Sequence, residues 1–173
     1  MAVKIDTRYR LIGLESIEMG PVGGTGVLGE TLVTIKNIVE GSAAIVFELP
    51  GKVEERNEDS DYADIIINQP AAKFIQFSVR DMDPRVWELA FGGTTDETGW
   101  AGFYDTPLVV QEKSIIAVSK DYGGEKMRFY ITRAMVRAGA QLNLTKTASG
   151  FIPFTCDIAR PETPTFPIAM EII

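Results

Sequence analysis

Histidine is absent from the 173-residue sequence, and cysteine occurs once, as Cys156. Without histidine there is no Ser-His-Asp triad, no histidine-ligated metal and no imidazole base of the kind that works near neutral pH. A single cysteine excludes an internal disulfide framework and suits a reducing compartment. Cys156 is also the one thiol nucleophile available, but it alternates with Phe154 and Ile158 on an apolar strand face. It is therefore expected to pack in the core as a small hydrophobe.

Long apolar runs and an excess of basic residues are missing as well. No stretch approaches the ~20 apolar residues that a membrane-spanning helix needs. The first residues, MAVKIDTRYR, have no apolar core of the signal-peptide type, so no secretion signal is expected. The net charge of −7 argues against the basic surface that nucleic-acid-binding proteins present. Ordinary DNA binding is therefore not expected.

Most of that negative charge lies in one segment, which is expected to be a solvated loop or the end of a hairpin. It holds six acids against a single arginine, and the acids are Glu54, Glu55, Glu58, Asp59, Asp61 and Asp64. The spacing of its aspartates is similar to that of a calcium-binding loop, but the glycine that an EF-hand loop requires is missing. No metal site is predicted.

Residues 20–29, GPVGGTGVLG, contain a G-x-G-x-x-G match. A dinucleotide site needs a helix to begin at these glycines, whereas the residues that follow, ETLVTIKNIVE, are β-branched and alternate like a strand. We therefore interpret 20–29 as a flexible loop and predict no cofactor. Carboxylate pairs can carry out acid–base chemistry, but the sequence singles out no residue for it. The chain is predicted not to be an enzyme.

The most informative stretch runs from Phe74 to Gly93. It begins with strict alternation of apolar and polar residues, which is typical of a half-buried strand. Asp83 is then a good helix N-cap, Pro84 suits the first helical position, and the pair Gly92-Gly93 can end the helix. In between, apolar residues recur at helical spacing, at positions Val86, Leu89 and Ala90, with Trp87 and Phe91 forming a second pair. The stretch predicts one strand followed by one short helix that plugs a β core.

The remainder of the sequence shows short alternating segments separated by turn residues, about eight to ten strands in all. The predicted fold is mainly β: a single domain, 1–173, with a β-sandwich or split barrel, one short α-helix packed against it, extended loops and terminal arms. Residues 161–173, with three prolines, are expected to be an extended C-terminal arm. The loop 92–107 carries Trp100, Phe103 and Tyr104, either as a partner surface or as a lid on the core.

The order and spacing of these features resemble the tail tube (major tail) proteins of tailed bacteriophages, a family also related to type VI secretion tubes. The resemblance spans most of the chain. It is carried by D-x-D-P-x-x-x-x-L-A-x-G-G and by the closing strand FIPFTCDIAR at 151–160. The residues concerned are Phe77, Asp81, Asp83, Pro84, Leu89, Gly92 and Gly93.

This resemblance implies a structural subunit that self-assembles into hexameric rings, which stack into a virion tail tube in the host cytoplasm. The implied partners are further copies of the chain and tape-measure, tail-terminator and baseplate proteins, and DNA passes through the tube without sequence-specific binding. An acidic lumen would let DNA slide by like-charge repulsion. The candidate strand-face acids are Glu48, Glu112 and Asp157.

Two other classes stay open. One is another virion or surface β-sandwich that binds a partner or glycan through the aromatic loop 100–104, and the other is an enzyme that relies on Asp or Glu, Lys, Ser or Tyr. The residues expected to make assembly contacts are Glu54, Glu55, Glu58, Asp59, Asp61, Trp100, Phe103 and Tyr104.

Overall fold

In the computed structural model, the residues described are 13–24, 27–56, 63–68, 71–80, 83–96, 98, 101–102, 110–140, 150–162 and 166–173. They form twelve strands and one helix. In chain order these are β1 (Leu14–Pro21), β2 (Val33–Ile35), β3 (Ala44–Phe47), β4 (Lys52–Arg56), β5 (Ala63–Asn68), β6 (Lys73–Val79), α1 (Pro84–Phe91), β7 (Thr94–Thr95), β8 (Ala101–Gly102), β9 (Gln111–Ser119), β10 (Met127–Ala138), β11 (Ile152–Ile158) and β12 (Ile168–Ile172).

Eight strands form one antiparallel sheet in the order β2-β1-β9-β10-β11-β6-β3, with β12 also paired to β10. The strand β10 is the branching point. One side of β10 pairs with β9, while the other pairs with β12 over Met127–Ile131 and with β11 over Ala134–Ala138. The hairpins β4-β5 and β7-β8 form two separate small sheets.

The two ends of the large sheet approach each other without forming a continuous ladder. Ile38, just after β2, makes a single antiparallel bridge to Val79 of β6. Backbone hydrogen bonds from Val39 to Ser78 and from Arg80 to Asn37 flank that bridge. The sheet is therefore strongly curled but is not closed into a barrel. The mainly β class with one helix is confirmed.

The core lies on the concave face of the curled sheet. On most strands the core residues alternate as the period of two requires, and in β10 the irregularity between Ile131 and Ala134 shifts the alternation by one residue. On the sheet they are Ile17, Met19, Ile35, Ile75, Phe77, Val79, Ile115, Ala117, Ile131, Ala134, Val136, Ile152, Phe154 and Cys156. The helix adds Val86, Leu89 and Ala90, which are the three residues that the helical spacing predicted.

The predicted strand–helix unit is confirmed in its details. Asp83 caps α1 because its carboxylate accepts a hydrogen bond from the Arg85 backbone N–H at 2.8 Å, and Pro84 is the first helical residue. Gly92 ends the helix with φ of 72°, and Gly93 follows with φ of 105°. Both values lie in the region that glycine adopts without steric cost.

The structure differs from the sequence prediction at the ends of the glycine-rich segment 20–29. Gly20 is the penultimate residue of β1 and is buried, and Gly29 is buried as well. The Gly29 N–H donates a hydrogen bond to the Ser114 hydroxyl at 3.0 Å, and that hydroxyl donates to the Thr132 carbonyl at 2.7 Å. Glycine is needed here because of close backbone approach, so these ends are packed against the sheet rather than forming a free loop.

The C-terminal segment also differs from the prediction of an unpaired arm. Its last residues are extended, but they form β12 and pair with β10. The Thr132 hydroxyl donates to the Phe166 carbonyl at 3.1 Å and the Tyr130 hydroxyl to the Glu171 carboxylate at 2.6 Å. The three prolines that favoured an extended arm all precede β12, so none of them removes a backbone N–H from its five residues, and the strand can pair.

Candidate assembly surfaces

The strand β12 is an edge of the large sheet. Over the part of the chain that is described, one side of β12 pairs with β10 and no strand pairs with the other side. An exposed edge presents a row of unpaired backbone N–H and C=O groups, which is a template for pairing with another chain. This edge is therefore a candidate contact surface.

The core-side face of β12 is apolar and poorly covered. Met170 lies opposite Phe129, a residue packed against the core, so Met170 is on the concave face, and Ile168 and Ile172 share that face at period two. Nevertheless Met170 is 58% exposed and Ile172 is 41% exposed. Exposed apolar residues in such a row are typical of protein–protein contact sites.

A second group of exposed apolar residues continues from β3. Ile45 lies opposite the buried Ile75 and packs against the core, but further along the same alternation Phe47 is 56% exposed and Leu49 is 91% exposed. The alternation places these three residues on one face, and two of them are uncovered. We call Phe47, Leu49, Met170 and Ile172 the apolar rim.

The acidic segment lies in and around the hairpin β4-β5. Glu54 and Glu55 are in β4, which matches the hairpin alternative of the prediction, whereas Glu58, Asp59 and Asp61 lie outside the described residues. The two strands pair with each other and form a sheet of their own. No other described element packs extensively against this hairpin.

The other predicted contact residues, Trp100, Phe103 and Tyr104, also lie outside the described residues. The neighbouring Ala101–Gly102 pairs with Thr94–Thr95, so the long loop contains a short ladder.

Two of the three candidate strand-face acids, Glu112 and Asp157, are paired with arginines. Glu112 forms two hydrogen bonds with Arg133, at 3.0 and 2.5 Å, and Asp157 lies 2.7 Å from Arg137. The hydrogen bonds that Arg133 donates to the Glu112 carboxylate raise the pKa of Arg133. Both acids lie on the convex face, and Glu48 follows β3. The negative charges of Glu112 and Asp157 are therefore locally compensated, which weakens the like-charge repulsion that an acidic strand face would supply.

A groove that the sequence did not reveal separates β2 from the first turn of α1. It has a volume of about 520 Å³. We call it the β2–α1 groove, and its lining residues are Thr31, Leu32, Val33, Thr34, Lys36, Asp83, Arg85 and Val86. Sequence reasoning missed it because the two walls are almost fifty residues apart in the chain.

A smaller cleft of about 260 Å³ opens beside the start of β1. Its lining is uncharged: Gly13, Leu14, Ala43, Ala44, Ile45, Ile75, Ser119 and Phe129. The Ser119 hydroxyl already accepts a hydrogen bond from the Met127 N–H and donates one to the Lys120 carbonyl. This cleft offers packing space and lacks the ionisable groups that acid–base catalysis uses.

Burial shifts the pKa values of two side chains, Cys156 and Lys113. Burial raises the pKa of the Cys156 thiol, which keeps it protonated and unreactive and confirms its predicted place in the core. Burial also lowers the pKa of Lys113, and the nearby Glu88 carboxylate partly opposes that shift.

Among the described residues, no group of three or more His, Cys, Asp or Glu could hold a metal ion, and no helix is long and apolar enough to cross a membrane.

These observations define a mainly β protein whose curled sheet keeps a free edge and an uncovered apolar rim. No protein-family model matches the chain, and no curated protein matches it. Among solved structures, the chain is similar to the sheath/tube terminator of an extracellular contractile injection system, PVC, in its extended state. The match has a TM-score of 0.43 and 13% identity, and covers 96% of this chain and 99% of that chain. A TM-score of this size does not establish a shared fold, so function is argued from the surfaces themselves.

Proposed function

We propose that the chain is a structural subunit that self-associates, in the manner of phage tail tubes, into stacked hexameric rings that form a conduit for DNA ejection. In this proposal the protein belongs to a virion tail, is assembled in the host cytoplasm and acts without catalysis. Tape-measure, tail-terminator and baseplate proteins would contact the finished tube. The tail-tube part of the proposal derives from the sequence resemblance in 74–93 and 151–160.

The observation that carries self-association is the free edge of β12 together with the apolar rim. A free edge in a soluble protein is usually blocked by charge, by proline or by a covering element. Here the concave side of β12 carries Ile168, Met170 and Ile172, and two of these residues are largely uncovered. A partner that pairs with this edge would satisfy its backbone groups and bury Met170 and Ile172 in one step.

A ring requires head-to-tail contacts rather than a two-fold dimer. In the described chain three strands of the large sheet, β2, β3 and β12, each pair on one side only, so unlike edges are present for such a contact. Contacts between unlike surfaces generate rings when the rotation closes. This is the arrangement that a tube built from rings requires.

The test is negative-stain electron microscopy of the full chain over a concentration series, with molar mass measured by light scattering. We expect species that grow from the 19.0 kDa monomer into rings or tubes with an open channel. Ile172→Lys should prevent this growth, because it places a charge on the apolar rim. Ala169→Lys, on the opposite face of β12, is the matched control and should assemble.

Folding of each variant is checked by circular dichroism. A folded wild-type protein that stays at 19.0 kDa at every concentration would overturn the proposal. Equal assembly of both lysine variants would show that the rim is not the contact surface.

A further inference from the structure

The outer edge of β12 carries its free backbone groups and its apolar side chains at the same residues. Lys126 and Ile173, at one end of the β10–β12 ladder, exchange two main-chain hydrogen bonds of 2.8 and 2.9 Å. Because hydrogen-bonded and non-hydrogen-bonded pairs alternate in an antiparallel ladder, every second residue counted back from Ile173 directs its N–H and C=O toward β10. The residues in between direct these groups outward. They are Ile168, Met170 and Ile172, which are also the apolar residues of the concave face.

The outer edge of β3 has the same arrangement. The Glu48 N–H donates to the Ala72 carbonyl at 3.0 Å, one pair beyond the Phe47–Lys73 pair of the β3–β6 ladder. Every second residue counted from Glu48 therefore directs its backbone groups toward β6, and the residues in between direct theirs outward. The outward residues are Ile45, Phe47 and Leu49, which again carry the apolar side chains of the concave face. Within the described chain, no strand pairs with this edge.

These two edges are complementary to each other. In a hydrogen-bonded pair of antiparallel strands, the two residues exchange two main-chain hydrogen bonds and their side chains lie on the same face of the sheet. Pairing β12 of one copy with β3 of another therefore brings apolar residues directly opposite one another on a continuous concave face. The third edge strand, β2, offers less apolar surface to such a partner, because Val33 is half-buried and Ile35 is buried.

We propose that β12 of one copy pairs antiparallel with β3 of the next copy. This inference rests on the proposed self-association and names the edge that receives β12. Each copy then gives β12 and receives a strand at β3, so the contact is head-to-tail and can continue around a ring. A two-fold contact between two copies of β12 would leave Phe47 and Leu49 uncovered. The opposing residues are Ile45 with Ile172, Phe47 with Met170, and Leu49 with Ile168.

The residues on the other face of the two strands favour this register. Glu48 falls opposite Ala169, which is small and uncharged. A shift of two residues in one direction would place Glu48 opposite Glu171, and like charges directly opposite each other are destabilising. A shift of two residues in the other direction would carry Ile172 beyond the first residue of β3. The proposed register is the one in which all the outward residues of both edges are paired.

Disulfide trapping tests the register. Glu48→Cys and Ala169→Cys are made as separate variants, at two exposed positions that form a non-hydrogen-bonded pair in the proposed register. The Cα atoms of such a pair are about 4.5 Å apart, which is within reach of a disulfide. The native Cys156 is buried and stays out of the reaction. A 1:1 mixture, oxidised at a concentration where the wild type assembles, should give a covalent dimer on a non-reducing gel, at a yield at least about tenfold above that of either variant alone.

The control mixture replaces Ala169→Cys by Glu171→Cys, whose thiol lies one pair further along the same face. Diagonal positions of this kind are about 7–8 Å apart, so cross-linking should fall to the level of the single variants. Covalent dimers formed by Ala169→Cys alone would indicate a two-fold contact between copies of β12. That outcome, or equal yields in the two mixtures, would overturn the proposed pairing.

Charge substitution tests the receiving edge. Leu49 is 91% exposed, so Leu49→Lys should fold, and it should raise the concentration needed for half-assembly by about tenfold or more. Glu48→Gln makes the same change in net charge on the opposite face and should assemble like the wild type. Circular dichroism checks that both variants are folded.

The outcomes separate this contact from self-association itself. Full assembly of Leu49→Lys, or no disulfide in the Glu48→Cys and Ala169→Cys mixture while the wild type assembles, would overturn the β12–β3 contact and leave self-association standing. A wild type that stays monomeric at every concentration would overturn both.

Discussion

Phe77 of β6 and Phe154 of β11 lie directly opposite each other in the sheet and stack face to face. Their ring centroids are 4.9 Å apart and the ring planes differ by 9°. Both side chains are essentially fully buried. The pair joins the strand that leads into α1 to the closing strand, so it fixes the register between the two segments on which the tail-tube resemblance rests.

The stacked pair predicts a large loss of stability on truncation. Phe154→Ala should lower the free energy of unfolding by about 3–5 kcal/mol, because it removes buried ring area and leaves a cavity. The measurement is urea unfolding of the monomer followed by tryptophan fluorescence. Phe47→Ala, at an exposed ring on the apolar rim, is the control and should change the free energy by about 0.5 kcal/mol or less. Similar losses for both variants would contradict this description of the core.

This part of the fold could be predicted from the sequence because the patterns that specify it lie within a few neighbouring residues. The alternation around Phe77 fixes the buried face of a strand, and the Asp83-Pro84 pair specifies where α1 begins. The same reasoning placed Cys156 in the core. Each of these inferences needs only the period of a strand or a helix and the chemistry of a helix cap.

The glycine at position 29 yields a second prediction. A Cβ atom added at Gly29 would lie 2.0 Å from the Pro21 carbonyl oxygen, so the backbone would have to move. Gly29→Ala should therefore destabilise the protein by roughly 1–3 kcal/mol, as overpacking does. Gly24→Ala is the matched control in the same segment, since an added Cβ there meets nothing within 4 Å. A thermal unfolding series of the two variants measures the difference, and equal midpoints would show that residue 29 has room for a side chain.

Features that depend on distant parts of the chain could not be predicted. The pairing of β12 with β10 joins residues about forty positions apart, and the β2–α1 groove joins two walls across a similar separation. Local patterning gives neither the partner of a strand nor the edge it leaves free. The buried role of Gly29 was missed for the same reason: the Ser114 hydroxyl that its N–H reaches lies 85 residues away.

The helix cap yields a third prediction. Asp83→Ala removes the carboxylate that accepts the Arg85 N–H, and should cost about 1 kcal/mol of unfolding free energy. Asp83→Asn keeps an acceptor oxygen at the same place and changes only the charge, so it should stay within about 0.5 kcal/mol of the wild type. Urea unfolding of both variants separates the contribution of the hydrogen bond from the contribution of the charge. An alanine variant as stable as the wild type would mean that the cap contributes nothing to α1.

Lys113, which is half-buried in β9, yields a prediction about pH. Burial lowers the pKa of Lys113 from its ordinary 10.5, so the charged form costs free energy in the folded state, although the Glu88 carboxylate offsets part of that cost. The cost is complete below the folded-state pKa and fades as the pH rises from that pKa to 10.5. Lys113→Met should therefore stabilise the protein near neutral pH, and its advantage over the wild type should shrink toward high pH.

Urea unfolding of the wild type and of Lys113→Met at about pH 7 and about pH 10 measures this difference. Lys120→Met, at an exposed lysine in the turn after β9, is the control and should leave the free energy of unfolding within about 0.5 kcal/mol at neutral pH. If Lys113→Met is instead less stable than the wild type at neutral pH, the attraction of Glu88 outweighs desolvation. The attraction between Lys113 and Glu88 would then stabilise the folded state by more than the burial of Lys113 costs.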